Sequence, residues 1–256
     1  MKRRLLPIAF ITLAMLVGVN AAHAAFVIDF KPEPANTLPE VIYVGAGPAV
    51  PSLRAGPGAV GNGDGALPPN QQTPGGLTVE VPYPVPGIFG GTVNAGGSTT
   101  FRDVTLELTG LSQNGGATTV GDVTTQGLTS GTFRLLATSG VLGAPPLPLL
   151  EGNIGGATLA LLNTGATGAL LSSTVTYTGG PLIPPGLIGA TGDLSFSLIN
   201  ITPLFVVSPG IVTDFSADAT GQFTIVPEPG GLALAAAACG ALLVRRRRAT
   251  SRPSSF

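Results

Sequence analysis

The 256-residue chain holds one cysteine, one histidine, no tryptophan and three tyrosines, and only 10% of its residues are charged. Each shortage removes a class of function. Cys239 is alone, so no disulfide framework can staple the fold. It sits in an apolar stretch and is expected to be a small filler there. His23 is also alone and lies near the N-terminus. Beyond it, Ser-His-Asp and Cys-His catalysis lack their base, and zinc sites lack their ligands. No Walker-type phosphate loop is present, and no glycine fingerprint follows a strand and opens a helix. Bases are scarce too. Residues 25–226 carry twelve acids against Lys31, Arg54, Arg102 and Arg134, a net charge of −8. A surface poor in cations argues against nucleic acid as a partner, because phosphate binding needs clustered Lys and Arg. No cofactor or metal site is expected.

What remains for catalysis is a carboxylate pair of the kind glycosidases use. Asp103 and Glu107 stand four residues apart on a predicted strand, as do Asp214 and Asp218. That spacing puts each pair on one face about 13 Å apart along the strand, too far for either pair alone to flank a scissile bond. Both pairs are expected to be solvated strand faces. Gly61-Asn62-Gly63-Asp64-Gly65 has the look of one turn of a calcium-binding repeat, but it offers one carboxylate where calcium takes six to eight oxygens. It is expected to be a plain turn.

The two ends of the chain are addresses. Lys2, Arg3 and Arg4 form a basic region, Leu5 to Val19 an apolar one, and Ala22-His23-Ala24 places small residues at positions 22 and 24. This is the pattern of a secretory signal peptide over 1–24, cut after Ala24 or after Ala25. At the other end, Val226-Pro227-Glu228-Pro229-Gly230 precedes an uncharged apolar run, Gly231–Val244, and then Arg245-Arg246-Arg247-Arg248. As a helix, 231–244 would span roughly 21 Å. Its fourteen residues are short of the about 20 a full crossing needs, and the Arg stems can snorkel to make up length. Four Arg are costly to translocate, so they are expected to stop transfer and stay cytoplasmic with the 249–256 tail. The predicted topology exports the middle of the chain.

Pro227-Glu228-Pro229, a short hydrophobic helix and a terminal Arg cluster, in that order, resemble the PEP-CTERM sorting signal of Gram-negative bacteria. The resemblance covers residues 226–248 together with the expected leader. It implies recognition by exosortase, a membrane-embedded cysteine peptidase or transpeptidase, with cleavage near Pro227–Pro229. Release or transfer to the cell surface would follow. It also implies an association with exopolysaccharide and biofilm matrix.

Between the addresses the chain reads as all-β. Val104, Leu106 and Leu108 alternate with Asp103, Thr105 and Glu107 in Thr99–Thr109, the period of a half-buried strand. Leu194, Phe196 and Leu198 alternate with Ser195 and Ser197, and Val175 and Tyr177 with Thr174, Thr176 and Thr178. Residues 214–225 alternate likewise, with Gly221 a predicted bulge or bend. Further predicted strands are Phe26–Phe30, Leu77–Val81, Ala117–Thr125, Thr132–Ser139 and Ala157–Asn163. Nothing reads as a long amphipathic helix. Gly/Pro turns recur, and Gly45–Pro86 is dense enough in them to predict a long loop. Ala144–Leu150 and Pro181–Leu187 read as Pro-rich loops. These features predict a β-sandwich or jelly roll over 25–226. An outer-membrane barrel is the competing all-β reading; irregular strand spacing and the lack of aromatic girdles argue against it.

The expectation is an exported, non-catalytic surface or matrix protein, with the inner membrane a transient anchor. Its partners would be an exosortase-type peptidase and exopolysaccharide or other matrix proteins. The alternative is a carboxylate-dependent polysaccharide-active enzyme or a carbohydrate-binding module. Missing Trp and scarce Tyr count against an aromatic sugar cleft.

Overall fold

Inward-facing aliphatic and aromatic residues at period two build a closed antiparallel ring. The structure, a computed structural model, describes residues 26–34, 36–45, 50–61, 75–85, 91–137, 146–162, 168–204, 206–208 and 210–225. The expected signal peptide with Ala22 and Ala24 lies outside them. So do Pro227–Pro229, the expected helix over 231–244, Cys239 and Arg245–Arg248. Among the described residues no helix is long and apolar enough to cross a membrane. Phe26–Ile225 forms one compact unit.

Eight strands close the ring: β16 (Phe215–Ile225), β1 (Phe26–Pro32), β4 (Leu77–Val81), β6 (Thr99–Thr109), β9 (Gly131–Ala137), β10 (Leu147–Ile154), β12 (Ala169–Gly179) and β13 (Thr191–Thr202). β13 makes the closure, pairing with β12 from Thr191 to Leu198 and with β16 from Gly192 to Thr202. The all-β expectation therefore holds at the level of class. The finer expectation of a sandwich or jelly roll gives way to a closed barrel, because β13 is hydrogen-bonded along both edges and leaves no seam between two sheets.

Further strands extend the wall. β2 (Val41–Val44) pairs with residues 215–217 of β16, and β3 (Ser52–Ala55) pairs with β2. β11 (Ala157–Leu162) pairs with residues 169–172 of β12, β8 (Val123–Leu128) with β11, and β7 (Thr118–Val120) with β8. Single bridges from Ser52 to Ser112 and from Gln113 to Leu128 link β3 to β8. A second closed path thus runs through β16, β2, β3, residues 112–113, β8, β11, β12 and β13. β12, β13 and β16 belong to both paths. β5 (Gly91–Val93) pairs with β6, and β14 (Val207–Ser208) with β15 (Ile211–Val212).

An eight-stranded barrel has an interior that side chains can just fill. Here aromatics fill it. Phe133 on β9 stacks on Phe223 on β16 with centroids 4.5 Å apart. These strands stand on opposite sides of the ring, so the contact crosses it. Phe30 meets Phe196 edge-on at 4.7 Å, and Tyr177 meets Phe133 at 6.1 Å. Glycines make the room. Gly152 is the cross-strand partner of both Phe133 and Tyr177, and Gly221 of both Phe30 and Phe196. Gly221 is in register with both neighbours rather than at a bulge. A Cβ there would lie 2.4 Å from Phe30 Cζ, so its role is space for a ring.

The outward positions of the barrel strands include Asp29, Glu80, Arg102, Thr132, Ser172, Thr174, Asp193 and Gln222, all exposed. Apolar inside and polar outside is the reverse of a lipid-facing barrel. Gly45–Pro86 is not all loop: it contains β3, β4 and a single 3-10 turn at Pro57–Ala59. Leu147–Leu150, expected as part of a Pro-rich loop, begins β10, with Leu149 and Leu150 buried. The strand expected over Ala117–Thr125 is the hairpin β7–β8, reversing at Gly121-Asp122.

Candidate functional site

Three groups of polar side chains stand out. The first is buried. Glu33, Glu40 and Asp103 are 4%, 1% and 4% exposed. Asp103 was expected on a solvated face beside Glu107, and a bulge overturns that. Between the pairs Leu77–Val104 and Val79–Phe101, Arg102 and Asp103 together oppose Thr78. Asp103 takes φ 55°, a left-handed backbone that Asp tolerates better than most residues. The extra residue turns its side chain inward. Its amide donates to Glu33 Oε1 at 3.0 Å, while Glu33 Oε2 is buried with no partner among the described residues.

Asn36 links the rest of this group. Its Nδ2 donates to Glu40 Oε1 at 2.7 Å and to the Gly58 and Gly76 carbonyls at 2.8 and 3.2 Å. Glu40 Oε2 accepts from the Ala219 amide at 2.8 Å. Burial, opposed by the Ala219 hydrogen bond and helped by the nearby Asp218 charge, raises the Glu40 pKa from its ordinary 4.5 to about 7. Asn36 and Glu40 tie the 33–40 connection to β16, to the 3-10 turn and to the entry of β4. Among the described residues no group of three or more His, Cys, Asp or Glu is placed to hold a metal ion. This group is a structural clasp. Tyr43 is a further buried polar group: its hydroxyl has no partner among the described residues, and burial, then the Asp214 charge, pushes its pKa to about 12.

The second group is outside. Arg134 on β9 donates to Glu151 on β10 at 2.8 Å and to Glu107 on β6 at 3.3 Å. All three side chains are 31–46% exposed, so the triad staples three adjacent strands weakly. Asp214 and Asp218 are also engaged. Asp214 accepts from the Gly45 amide at 2.7 Å, and Asp218 from Asn200 Nδ2 at 2.7 Å. Of the two expected carboxylate pairs, neither acts as a pair.

The third group surrounds a depression of about 330 Å³ on the outer face of β1, β16, β13 and β12, lined by Asp29, Leu170, Ser195, Ser197, Thr220 and Gln222 over Phe30 and Gly221. One carboxylate lies in it. A second, Glu80, stands directly across from Asp29 on β4 but outside the lining. Both are exposed.

No protein family, curated protein or solved structure matches the chain. Sequence periodicity placed Ser195 and Ser197 on an outward face. It did not point to Asp29, Leu170, Thr220 and Gln222 as their neighbours. Only the strand register assembles them, and no local spacing signals it.

Proposed function

We propose that this chain is an exported, non-catalytic barrel sorted to the cell surface or matrix through its C-terminal signal. On this reading the leader directs residues 25–226 across the inner membrane. The 231–244 helix halts there with Arg245–Arg248 inside, and an exosortase-type peptidase cuts near Pro227-Glu228-Pro229. The prolines keep that junction extended and short of helical hydrogen bonds, so the scissile region stays outside the helix. The protein then associates with exopolysaccharide or other matrix components.

One observation supports this reading most. The first strand starts at Phe26 and the last ends at Ile225, and these two residues are cross-strand partners. Both expected cuts would fall within a few residues of that pair. Removing both ends at those cuts would leave every described strand in the chain.

The test is a tail variant expressed in the native host. Replacing Arg245–Arg248 with Ser should let the tail slip through the membrane and abolish the cut. Unchanged topology and processing in that variant would count against the proposal.

A further inference from the structure

The described residues include Asn36, Asn94, Asn114, Asn153 and Asn200. All but Asn114 are held through the side chain or the backbone. Asn36 Nδ2 donates to Glu40 and to the Gly58 and Gly76 carbonyls, Asn94 Nδ2 to Ser98 and Thr100, and Asn200 Nδ2 to Asp218. Asn153 lies inside β10, paired with Thr132 on one side and Thr176 on the other, and branched Ile154 follows it. Asn114 differs on each count. It is exposed and lies outside any strand, between the Gln113 bridge and β7. Its carboxamide makes no hydrogen bond to a described residue. Gly115 follows, exposed, with φ 75° and nothing within 4 Å of where a Cβ would stand. Among the described residues the Gly115 N–H is unbonded as well.

We propose that Asn114-Gly115 is a self-modifying site, where the exposed turn converts its own asparagine to isoaspartate and aspartate. The chemistry needs only water. The Gly115 amide nitrogen loses its proton to solvent base and attacks Asn114 Cγ. The new C–N bond closes a five-membered succinimide, and the carboxamide nitrogen takes up a proton and leaves as ammonia. Water then opens the ring at either carbonyl. Attack at the Asn114 main-chain carbonyl gives isoaspartate, and attack at the former Cγ gives aspartate; nothing is oxidised or reduced. Each local feature favours ring closure. An unbonded N–H is free to react, and a residue without Cβ leaves the approach to its nitrogen open. An irregular exposed segment also reaches dihedrals that a strand ladder forbids. Asparagine counts among the thermolabile residues.

The site stands at a joint. The Asn114 amide donates to the Gly127 carbonyl at 2.8 Å. The Gly115 carbonyl accepts from Gln113 Nε2 at 2.8 Å and from the buried Gln126 Nε2 at 3.2 Å. Gln113 itself bridges to Leu128, one of the single bridges that close the second path. Isoaspartate routes the main chain through Cβ and Cγ, which adds a backbone atom between these anchors. Aspartate adds only a charge. The isoaspartate form therefore loosens the second path at residues 112–113 and β8, while the eight-strand ring, which contains neither, keeps its pairing. This inference is independent of how the chain is sorted.

The test ages the purified full-length chain in detergent at neutral pH and follows it by peptide mass mapping, with an unaged sample as blank. Trypsin releases residues 103–134, whose only asparagine is Asn114. That peptide should acquire the mass change of NH2 replaced by OH. It should do so at least about tenfold faster than Asn94 or Asn153, each located by fragmentation of its own peptide, a barrier difference of about 1.4 kcal/mol. Enzymatic methylation of the freed α-carboxyl should identify isoaspartate. The rate should rise with pH, because the attacking nitrogen must lose its proton. It should also stay within about tenfold of the rate in urea, because the turn gives the site no protection. Aged protein should exchange the amides of Gln113 and of residues 126–128 faster than fresh protein. Asn114→Gln, whose longer side chain cannot close the five-membered ring, should keep both mass and exchange at their fresh values. Conversion of Asn114 no faster than of Asn94 or Asn153 would overturn the site, as would strong protection of Asn114 by folding relative to urea. Unchanged exchange in a converted sample would overturn the loosening of the second path.

Discussion

At the scale of single residues, the interior is an exchange of volume between glycines and aromatic rings. Gly221 shows the constraint most clearly. A Cβ there would lie 2.4 Å from both Phe30 Cζ and the Ser195 carbonyl oxygen, and neither a packed ring nor a paired strand can retreat. Gly221→Ala should lower stability by about 1–3 kcal/mol, the usual cost of overpacking. Gly96→Ala, where nothing lies within 4 Å, should stay within about 0.5 kcal/mol; urea unfolding midpoints compare the two. Glu40 carries a second residue-scale prediction. Its folded pKa of about 7 lies above its ordinary 4.5. Folding therefore favours the protonated form. The contribution is fully present below about pH 4.5 and is lost as pH rises through about 7, a change on the order of 3 kcal/mol. The barrel should be more stable at pH 5 than at pH 8. Glu40→Gln should remove that slope, while losing some stability at pH 5 because its amide must face either the Asn36 or the Ala219 N–H. A parent stability curve that rises between pH 5 and pH 8 would contradict the burial argument.

At the scale of elements, bulges decide what faces where. β13 carries one opposite β16, where Asn200 and Ile201 together oppose Ala217 and Asn200 takes φ 53°. A β-branched side chain is strained there. Asn200→Val should cost about 1–2 kcal/mol, with a further loss from the Asp218 hydrogen bond, whereas Asn200→Gly should forfeit only the hydrogen bond. Thermal unfolding of the two variants separates strain from bonding. The shared strands make another prediction. β12, β13 and β16 belong to both closed paths and should hold the slowest amide exchange, while β7, an exposed three-residue edge, should exchange early. The same features explain what the sequence made legible. Alternation located β6, β12, β13 and β16 and placed Val104, Leu106 and Leu108 inward. It failed at Asp103, where one inserted residue reverses the face and no composition signal announces it. It passed over β2 and β3, four residues each, because the Gly and Pro around them outweigh such short apolar runs. The barrel was not legible either. Period two says that a strand has a buried face, not which strand covers its other edge, and closure depends on β13 pairing with a strand that begins after its own end. The depression was hidden for that reason as well.

At the scale of the whole molecule, Phe26–Ile225 is one compact unit, and the two proposed cuts fall outside it in sequence. The Phe26–Ile225 pair brings the first and last strands to one place, so both expected cuts lie beside it without interrupting a described strand. The deciding measurement is intact mass of the protein fractionated from its own host. The expected result is a mature species outside the inner membrane, beginning near Ala25 and ending between Pro227 and Gly230. A species that still carries Arg245–Arg248 and remains in the inner membrane would contradict it and make the tail a plain anchor.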